Sequence, residues 1–310
     1  MAATTPSVGI LSGISYNSGI DYYRGINEEY VSKGNLRNPA YPMPSFPHVQ
    51  MVSVDCAEYA SYLVNKEWGK TREYLWRNGI ARLIGMLERG EIDFIVQASN
   101  TSHMALELDA LKEVGGEYYS MLLKWQDKFL HIADATASAI RDEFDGSRRK
   151  FENPCKKQKC EPGLPVIVGL LGTEPTMRER YLKDRLLRHN DAIKDVVAPQ
   201  KDSDLKRIFE VIMGELSSPI EMEYHEKTQM KRPKFKEETR DYFISVIRES
   251  LVKEQGAQCV VLGCTEIELL IKQEDIPEIP VFPSAELHMN ACVEVLLGKK
   301  QVGALVPKLL

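Results

Sequence analysis

A chain of 310 residues, 43% of them hydrophobic, can bury a substantial core in one large or two medium α/β domains. Its formal net charge of −5, with both signs interspersed, leaves no basic excess for nucleic acid or anionic lipid, so neither is expected as a partner. The sequence shows neither a secretory leader pattern nor a run of roughly 18 apolar residues, so we expect a cytoplasmic protein.

The first half of the chain alternates strand-like and helical patterns. Short apolar runs predict strands at 8–13 ("VGILSG"), 48–55 ("HVQMVSVD") and 93–101 ("DFIVQASNT"). Apolar residues at helical spacing predict helices at 18–31 and 71–90. The pattern is typical of β/α units.

The second half repeats this alternation. Strands are predicted at 165–172 and 258–266, and helices at 203–216 and 237–256. Both long predicted helices that precede a strand end in glycine, where a helix C-cap is expected: Gly90 and Gly256. Alternation of this kind implies parallel sheets that are covered by helices.

Three motifs occur in the same order in both halves. "VGILSG" recurs as "VGLLGT" (168–173), "DFIVQASNT" matches "QCVVLGCTE" (258–266), and "FLHIADAT" (129–136) matches "VFPSAEL" (281–287). We therefore predict an α/β fold of two pseudo-symmetric, doubly wound parallel-sheet lobes, with the active site in the cleft between them. The repeat makes Ser99 the equivalent of Cys264.

Cys264 has two interpretations. A cysteine after four apolar residues can be a small buried hydrophobe, because free cysteine is among the most buried residue types. At a strand end just before a helix, however, the helix dipole and free backbone N–H groups favour a thiolate. The polar residues of both tips, "GCTE" and "ASNTSH", favour a ligand site over a core position.

Four stretches together resemble the aspartate/glutamate racemase family, whose members work without pyridoxal phosphate or metal: "VGILSGISYNSGIDYYRGIN", "ASNTSH", "VGLLGTEPTM" and "VVLGCTEIELL". The resemblance covers nearly the whole chain. It implies two α/β lobes, the first formed by 1–130 and 287–310 and the second by 131–286, since the C-terminal segment of family members commonly returns to the first lobe. The segment 143–165, rich in charge, Pro and Gly, is expected to be an exposed insertion.

The resemblance also implies roles for the tips. Racemisation removes the α proton from one face and delivers another to the opposite face, which two cysteines do in most members of the family. Cys264 is the expected principal acid/base, with Ser99 on the opposite face. The positions that match the family's ligand-contacting motifs are Ser12, Gly13, Asn100, Thr101, Thr265 and Glu266. Backbone N–H groups and hydroxyls at helix starts are suited to stabilising the charge that develops.

Ser99 departs from the common pattern, although a subgroup of the family carries a hydroxyl residue there. A serine hydroxyl is a poor base near neutral pH, whereas a thiol with a pKa of about 8.5 is readily activated. Three readings stay open: an asymmetric racemase, a cysteine that was replaced to trap a ligand, or a relative with one-sided chemistry such as a decarboxylase. The racemase reading is favoured, because "LGTEPTM" and the N-terminal motif resemble the amino-acid racemase branch.

Two histidines are candidate supporting residues. His103 could relay a proton to Ser99, and an equally good interpretation is a first-turn histidine that bonds the backbone. His288 could support Cys264 by lowering its pKa.

Two other residues are candidate substrate contacts. Arg207, or its neighbour Lys206, falls where members of the family place a basic residue near the distal carboxylate; a helix surface charge is the alternative. Thr173 could donate to a carboxylate or could pack as a small residue at a strand end.

The cysteines do not indicate a metal or redox centre. Six cysteines in so long a chain favour reduced thiols over a disulfide framework. "CKKQKC" (155–160) supplies only half of a structural zinc site and has no second pair at a suitable spacing. We expect no metal and no cofactor.

The sequence thus favours a cofactor-independent racemase (an isomerase) of a small acidic amino acid, aspartate or glutamate. The alternatives are a one-base decarboxylase or isomerase of a dicarboxylic acid, and a protein that binds acidic amino acids after losing a catalytic thiol. Because members of the family are often dimers, a homodimer is left open, although no interface can be identified in the sequence.

Overall fold

The computed structural model describes residues 6–13, 15–34, 44–145, 165–217, 222–225 and 230–306. The polypeptide forms two compact units, Met1–Ala135 with Ala285–Leu310, and Thr136–Ser284. The boundaries that we expected, at 130 and 287, differ from these by a few residues. Most of the expected insertion 143–165, and with it "CKKQKC", lies outside the described residues.

The first unit contains a parallel sheet in the order β2-β1-β3. Its strands are β1 (Ser7–Leu11), β2 (His48–Val52) and β3 (Phe94–Gln97). Its helices are α1 (Tyr16–Gly34), α2 (Cys56–Val64), α3 (Trp68–Leu75), α4 (Ala81–Glu88), α5 (Leu108–Val114) and α6 (Gly116–Trp125), followed by α7 (Ile132–Phe144), which runs on into the second unit. Phe129 adds a single parallel bridge to Ile95 of β3.

The second unit has a parallel sheet in the order β5-β4-β8-β9. These strands are β4 (Val166–Gly172), β5 (Ile193–Val197), β8 (Cys259–Gly263) and β9 (Val281–Pro283). A separate antiparallel hairpin comprises β6 (Met222–His225) and β7 (Met230–Pro233). The helices are α8 (Glu174–Arg178), α9 (Arg180–Leu187), α10 (Asp202–Val211), α11 (Glu237–Ser245) and α12 (Thr265–Leu270). α13 (Ser284–Leu296) begins here and continues into the first unit.

The two sheets share one topology. In each unit the first strand is central, the second lies on one side of it and the third on the other, and a short fourth segment joins the third strand. The three repeated motifs therefore occupy equivalent strands, and the predicted α/β fold of two parallel-sheet lobes is confirmed.

Each unit has its own apolar core. In the first unit, residues of β1 and β3 pack with Tyr22 and Ile26 of α1 and with Cys292 and Val293 of α13. The helical spacing of Tyr22 and Ile26 buries that side of α1, whereas Tyr23 is half exposed. In the second unit, β8 packs against α10, α11 and α12.

Local features set the helix ends. Gly90 and Gly256 have φ of +69° and +72°, the left-handed conformation that glycine adopts at a helix C-terminus, as their positions predict. Three predicted long helices contain π-helical segments: Trp76–Ile80 between α3 and α4, Ile212–Leu216 after α10, and Val246–Glu254 after α11. Such segments leave no mark in apolar spacing. Within the described part of the chain, no helix is long and apolar enough to cross a membrane.

Candidate active site

Cys264 lies at the carboxyl end of β8 and caps the start of α12 with an extended backbone (φ −157°, ψ 130°). Its side chain is only 6% exposed. The thiol donates a hydrogen bond of 3.0 Å to Oε2 of Glu266, and the Thr265 hydroxyl donates one of 2.6 Å to the same oxygen. Three neighbouring residues of the "GCTE" motif thus meet at one carboxylate oxygen.

The surroundings of Cys264 favour the protonated thiol. Burial raises its pKa well above the ordinary value, and the charge of Glu266 and its hydrogen bond raise it further. The backbone N–H groups of Glu266 and Ile267 act in the opposite direction, with less effect. The helix start thus favours a thiolate, as we expected, but burial and the Glu266 carboxylate outweigh its effect in this structure.

Ser99 occupies the equivalent tip of the first unit, two residues after β3 ends. It is 7% exposed, and its hydroxyl accepts a bond of 3.4 Å from the amide of Ser102. The Ser102 hydroxyl in turn donates to the Ser99 carbonyl at 2.9 Å. Asn100 and Thr101 follow at the start of a 3-10 helix, Thr101–Leu106, and both side chains are buried. The tip is a tight polar turn.

His103 contacts the backbone of Ser99 instead of its hydroxyl. Nδ1 of His103 lies 2.7 Å from the Ser99 carbonyl oxygen, and Nε2 accepts from the Ile132 amide at 3.3 Å. Both ring nitrogens are therefore engaged by backbone groups, as in the alternative interpretation of this histidine. The proton relay to the Ser99 hydroxyl is not what the structure shows.

Ser12 and Gly13 follow β1 beside the first tip. The Ser12 amide donates to the Val52 carbonyl at 2.9 Å, and its side chain packs against Gly19 of α1. A Cβ at Gly13 would lie 2.4 Å from the Ala98 carbonyl oxygen, so only glycine allows the ends of β1 and β3 to approach so closely. The structure therefore brings Gly13 next to the residue that precedes Ser99.

Thr173 follows β4 and caps α8. Its hydroxyl lies 2.9 Å from that of Thr176, which lies 2.9 Å from the hydroxyl of Tyr181. All three side chains are buried. Thr173 thus belongs to a row of hydroxyls under the strand ends of the second unit, and small-residue packing alone does not describe it.

Arg207 is exposed on α10, and its guanidinium lies 3.8 Å from the centre of the Tyr242 ring. Lys206 is also exposed and pairs with Glu210. Both contacts fit the helix surface charge that we considered as the alternative, and the contact with a distal carboxylate stays a prediction.

His288 is placed in the first unit, on α13, with no exposed surface. Its Nδ1 accepts from the Tyr22 hydroxyl at 2.9 Å, and its Nε2 donates to the Leu130 carbonyl at 2.8 Å. Burial lowers its pKa to about 4. Because both nitrogens have these partners, the expected support of Cys264 by His288 is not what the structure shows.

Three polar residues near the tips were not identified from the sequence. His131 packs against His103 with ring centres 4.4 Å apart, and Tyr181 anchors the hydroxyl row. Gln97, the last residue of β3, is 1% exposed, and neither atom of its side-chain amide has a hydrogen-bond partner among the described residues. The repeated motifs were the available signal for two of them, because "DFIVQASNT" contains Gln97 and "FLHIADAT" contains His131.

No group of three or more His, Cys, Asp or Glu side chains in the described ranges could hold a metal ion. The cysteines described, Cys56, Cys259, Cys264 and Cys292, are free thiols.

Comparison with known proteins finds no matching family model. Solved structures do match. The chain is 25% identical to a protein from Yersinia pestis described as a "putative Asp/Glu Racemase", covering 94% of this chain and 99% of that one with a TM-score of 0.63. An aspartate racemase homologue from Pyrococcus horikoshii is 23% identical, with 94% and 98% covered and a TM-score of 0.56.

The aspartate racemase of Picrophilus torridus is similar in fold as well, with 20% identity, 94% of each chain covered and a TM-score of 0.51. Because each match covers 94% of the chain, the similarity extends over both α/β units. In fold, and at 25% identity in sequence, the chain is therefore similar to proteins described as aspartate/glutamate racemases, as the sequence resemblance predicts.

Proposed function

We propose that the chain is a cofactor-independent racemase of a small acidic amino acid, aspartate or glutamate. Cys264 is its principal acid/base, and Ser99 serves the opposite face of the α carbon as a weak or indirect proton carrier. The observation that carries this proposal is the hydrogen bond from the Cys264 thiol to Glu266, at the strand tip equivalent to that of Ser99, in a relative of racemases.

The reaction needs a thiolate. When Cys264 gives up its proton, the sulfur can take the α proton, while the electron pair of the C–H bond stays on the substrate as an enolate. Glu266 Oε2 already accepts the hydrogen bond from the thiol, so it is the first site to which that proton can move. A substrate ammonium group beside Glu266 would offset the carboxylate charge that now raises the pKa of Cys264.

Donors at the tips suit the substrate carboxylate. Asn100 and Thr101 lie at the start of a 3-10 helix, and Thr265 lies at the start of α12. The Thr265 hydroxyl donates to Glu266 in this structure and would have to turn from that carboxylate to the substrate. Such donors stabilise the additional negative charge of the enolate because they are held in place before the reaction begins.

The two faces are unequal in this proposal. A thiol can be deprotonated near neutral pH, whereas the Ser99 hydroxyl ionises only at far higher pH. Proton abstraction by Cys264 is therefore the efficient direction, and delivery from the side of Ser99 limits racemisation. The proposal thus treats the chain as a member of the subgroup that carries a hydroxyl residue at this position.

One observation favours a second candidate function. A buried thiol with a raised pKa is also what a protein that only binds acidic amino acids would have. Alkylation of Cys264 by iodoacetamide separates the two candidates. In a racemase, a bound substrate analogue that does not react should promote the thiolate, so alkylation of Cys264 near neutral pH should become faster. In a binding protein, the analogue should only protect Cys264 from alkylation.

The direct test is proton NMR of L- and D-aspartate and of L- and D-glutamate in deuterated buffer. We expect loss of the α-proton signal with the wild-type protein and no loss with Cys264→Ala. Cys259→Ala is the matched control, because Cys259 is a buried thiol of the same strand, β8, five positions before Cys264. Exchange that persists in Cys264→Ala would remove the thiol from the mechanism.

A further inference from the structure

Three buried histidines lie together in the first unit. His103, His131 and His288 are 1%, 7% and 0% exposed. The ring centres of His103 and His131 are 4.4 Å apart, and those of His103 and His288 are 5.9 Å apart. We call these three residues the histidine cluster. Buried imidazoles in contact with one another favour neutral rings, because a charge would lack water and would face its neighbours.

Backbone partners fix the proton of His103. A carbonyl oxygen only accepts hydrogen bonds, so Nδ1, which is 2.7 Å from the Ser99 oxygen, carries the proton. A backbone amide only donates, so Nε2, which accepts from Ile132 at 3.3 Å, is bare. His103 is therefore a neutral imidazole in the Nδ1–H form.

The other two members contact the same stretch of backbone, residues 130–133. His288 donates from Nε2 to the Leu130 carbonyl, which leaves Nδ1 to accept from the Tyr22 hydroxyl. His131 accepts at Nδ1 from the Ala133 amide at 3.1 Å. Both are thereby assigned as Nε2–H forms when neutral. The cluster joins the Ser99 tip to the chain segment that leads into α7.

Two of these bonds cap α7. The first N–H groups of a helix have no partner within the helix, and here those of Ile132 and Ala133 are satisfied by bare imidazole nitrogens. Protonation of His103 at Nε2 would remove one cap and place a positive charge at the positive end of the helix dipole. The bond to Ile132 therefore exists only while His103 is neutral.

Other groups around the cluster carry or share charge. Asp134 of α7 is buried and acts electrostatically on His288, and Tyr22 of α1 bonds His288. At the far end of the 3-10 helix that carries His103, Arg72 of α3 donates to the Met104 carbonyl and pairs with Glu107. Within the cluster, the rings of His131 and His288 contact the ring of His103 and would face its positive charge if it were protonated.

We propose that His103 is a positioning residue for the first tip: its neutral Nδ1–H form holds the Ser99 backbone against the start of α7, and protonation releases it. The inference rests on the proposed function only in that the Ser99 tip serves the reaction. It assigns to His103 a role through the backbone, in place of a proton relay to the hydroxyl.

The first test is independent of activity. In protein labelled with ¹⁵N-histidine, imidazole NMR spectra at pH 7 should show one ring protonated at Nδ1 that disappears in His103→Asn, and rings protonated at Nε2 for His131 and His288. A His103 ring protonated at Nε2, or at both nitrogens, overturns the proposal. This measurement stands even if a substitution impairs folding or no substrate is found.

The second test uses matched variants. His103→Phe keeps an aromatic ring without hydrogen bonds, and His103→Asn keeps a donor near the place of Nδ1 but cannot titrate. His48→Asn is the control, because His48 is exposed on β2 of the same unit. We expect kcat for α-proton exchange to fall on the order of tenfold or more in His103→Phe, with KM little changed, since small misplacements at a site are costly.

The Asn variant separates positioning from a merely structural role. His103→Asn keeps a donor for the Ser99 carbonyl but, like protonated His103, cannot accept from Ile132. Its kcat at neutral pH should therefore fall towards the value that the wild type has at acid pH, and it should lose part of the wild-type decline in kcat at acid pH. Backbone hydrogen exchange at Ser99–His103 should speed up in His103→Phe and not in His48→Asn. If His103→Phe has the same kcat, the same pH profile and the same backbone hydrogen exchange as the wild type, the inference is wrong. If the wild type exchanges none of the four amino acids, the proposed function fails, and the imidazole spectra and backbone exchange still decide this inference.

Discussion

Among single residues, Cys264 and Glu266 have two opposing effects on the proposed reaction. The thiol must ionise to act as a base, yet burial and the Glu266 carboxylate raise its pKa in the structure. The thiol donates to Glu266, so the same carboxylate that discourages the thiolate also offers its proton a destination. In the proposed mechanism, substrate binding must therefore lower the pKa of Cys264. The contribution of Glu266 to this pKa can be measured in the protein without substrate.

Glu266→Gln should lower the pKa of Cys264. A neutral amide removes the negative charge beside the sulfur and the hydrogen bond to a carboxylate, two of the causes that raise this pKa. The pH dependence of iodoacetamide alkylation, resolved for Cys264 by mass spectrometry, should shift to lower pH. Glu274→Gln, at an exposed acid of the same unit, should leave the curve in place. An unchanged curve in Glu266→Gln would show that burial alone sets the pKa.

At the scale of elements, the strand ends are positioned by close backbone contacts. The end of β1 approaches the end of β3 so closely that a Cβ at Gly13 would meet the Ala98 carbonyl oxygen at 2.4 Å. Because backbone cannot move aside as a flexible side chain can, the contact fixes the turn that leads into Ser99.

Gly13→Ala should destabilise the first unit by about 1–3 kcal/mol, the usual cost of overpacking. Urea denaturation followed by circular dichroism measures this free energy of unfolding. Gly69→Ala is the matched control: Gly69 lies in α3 with no atom within 4 Å of an added Cβ, so alanine should be neutral or slightly stabilising there. Equal midpoints for the two variants would show that the close approach at Gly13 has no energetic weight.

The sequence predicted elements better than their internal geometry. Repeated motifs and apolar spacing indicated the equivalent strands β1 and β4, β3 and β8, because strand and helix periods are written locally in the sequence. The π-helical segments were missed, because a widened turn barely changes apolar spacing over a few residues.

The sequence predicted where the site residues lie in the fold better than it predicted their hydrogen-bond partners. Cys264 and Ser99 fall at strand ends, as the repeat predicts, but His288 bonds Tyr22, which is 266 positions away along the chain. A hydrogen bond over such a separation depends on how α1 and α13 pack, and no local pattern encodes it. The same holds for His103 and Ile132.

At the scale of the whole molecule, the histidine cluster links stability to pH. Burial lowers the pKa of His288 to about 4, below the ordinary value of 6.5. The unfolded chain therefore binds a proton at this residue before the folded chain does. Its contribution to stability is fully present above pH 6.5 and is lost as the pH falls from there to about 4.

We expect this residue alone to remove about 3 kcal/mol of unfolding free energy between pH 7 and pH 4, from a pKa difference of that size. Urea titrations at half-unit steps of pH measure the loss, and His288→Gln should flatten part of the slope. A wild-type stability that does not change between pH 6.5 and pH 4.5 would contradict a buried neutral His288.

In the proposed mechanism one thiol serves one face of the substrate, and a hydroxyl limits proton transfer at the other face. Its most direct test is the rate of α-proton exchange from pure L and pure D enantiomers of the active amino acid, with chiral analysis of the products, in wild type and in Ser99→Cys. We expect unequal exchange from the two enantiomers in the wild type. In Ser99→Cys the slower direction should become faster, because a thiol ionises far more readily than the hydroxyl that it replaces. Equal exchange from both enantiomers in the wild type, with no change in Ser99→Cys, would contradict it.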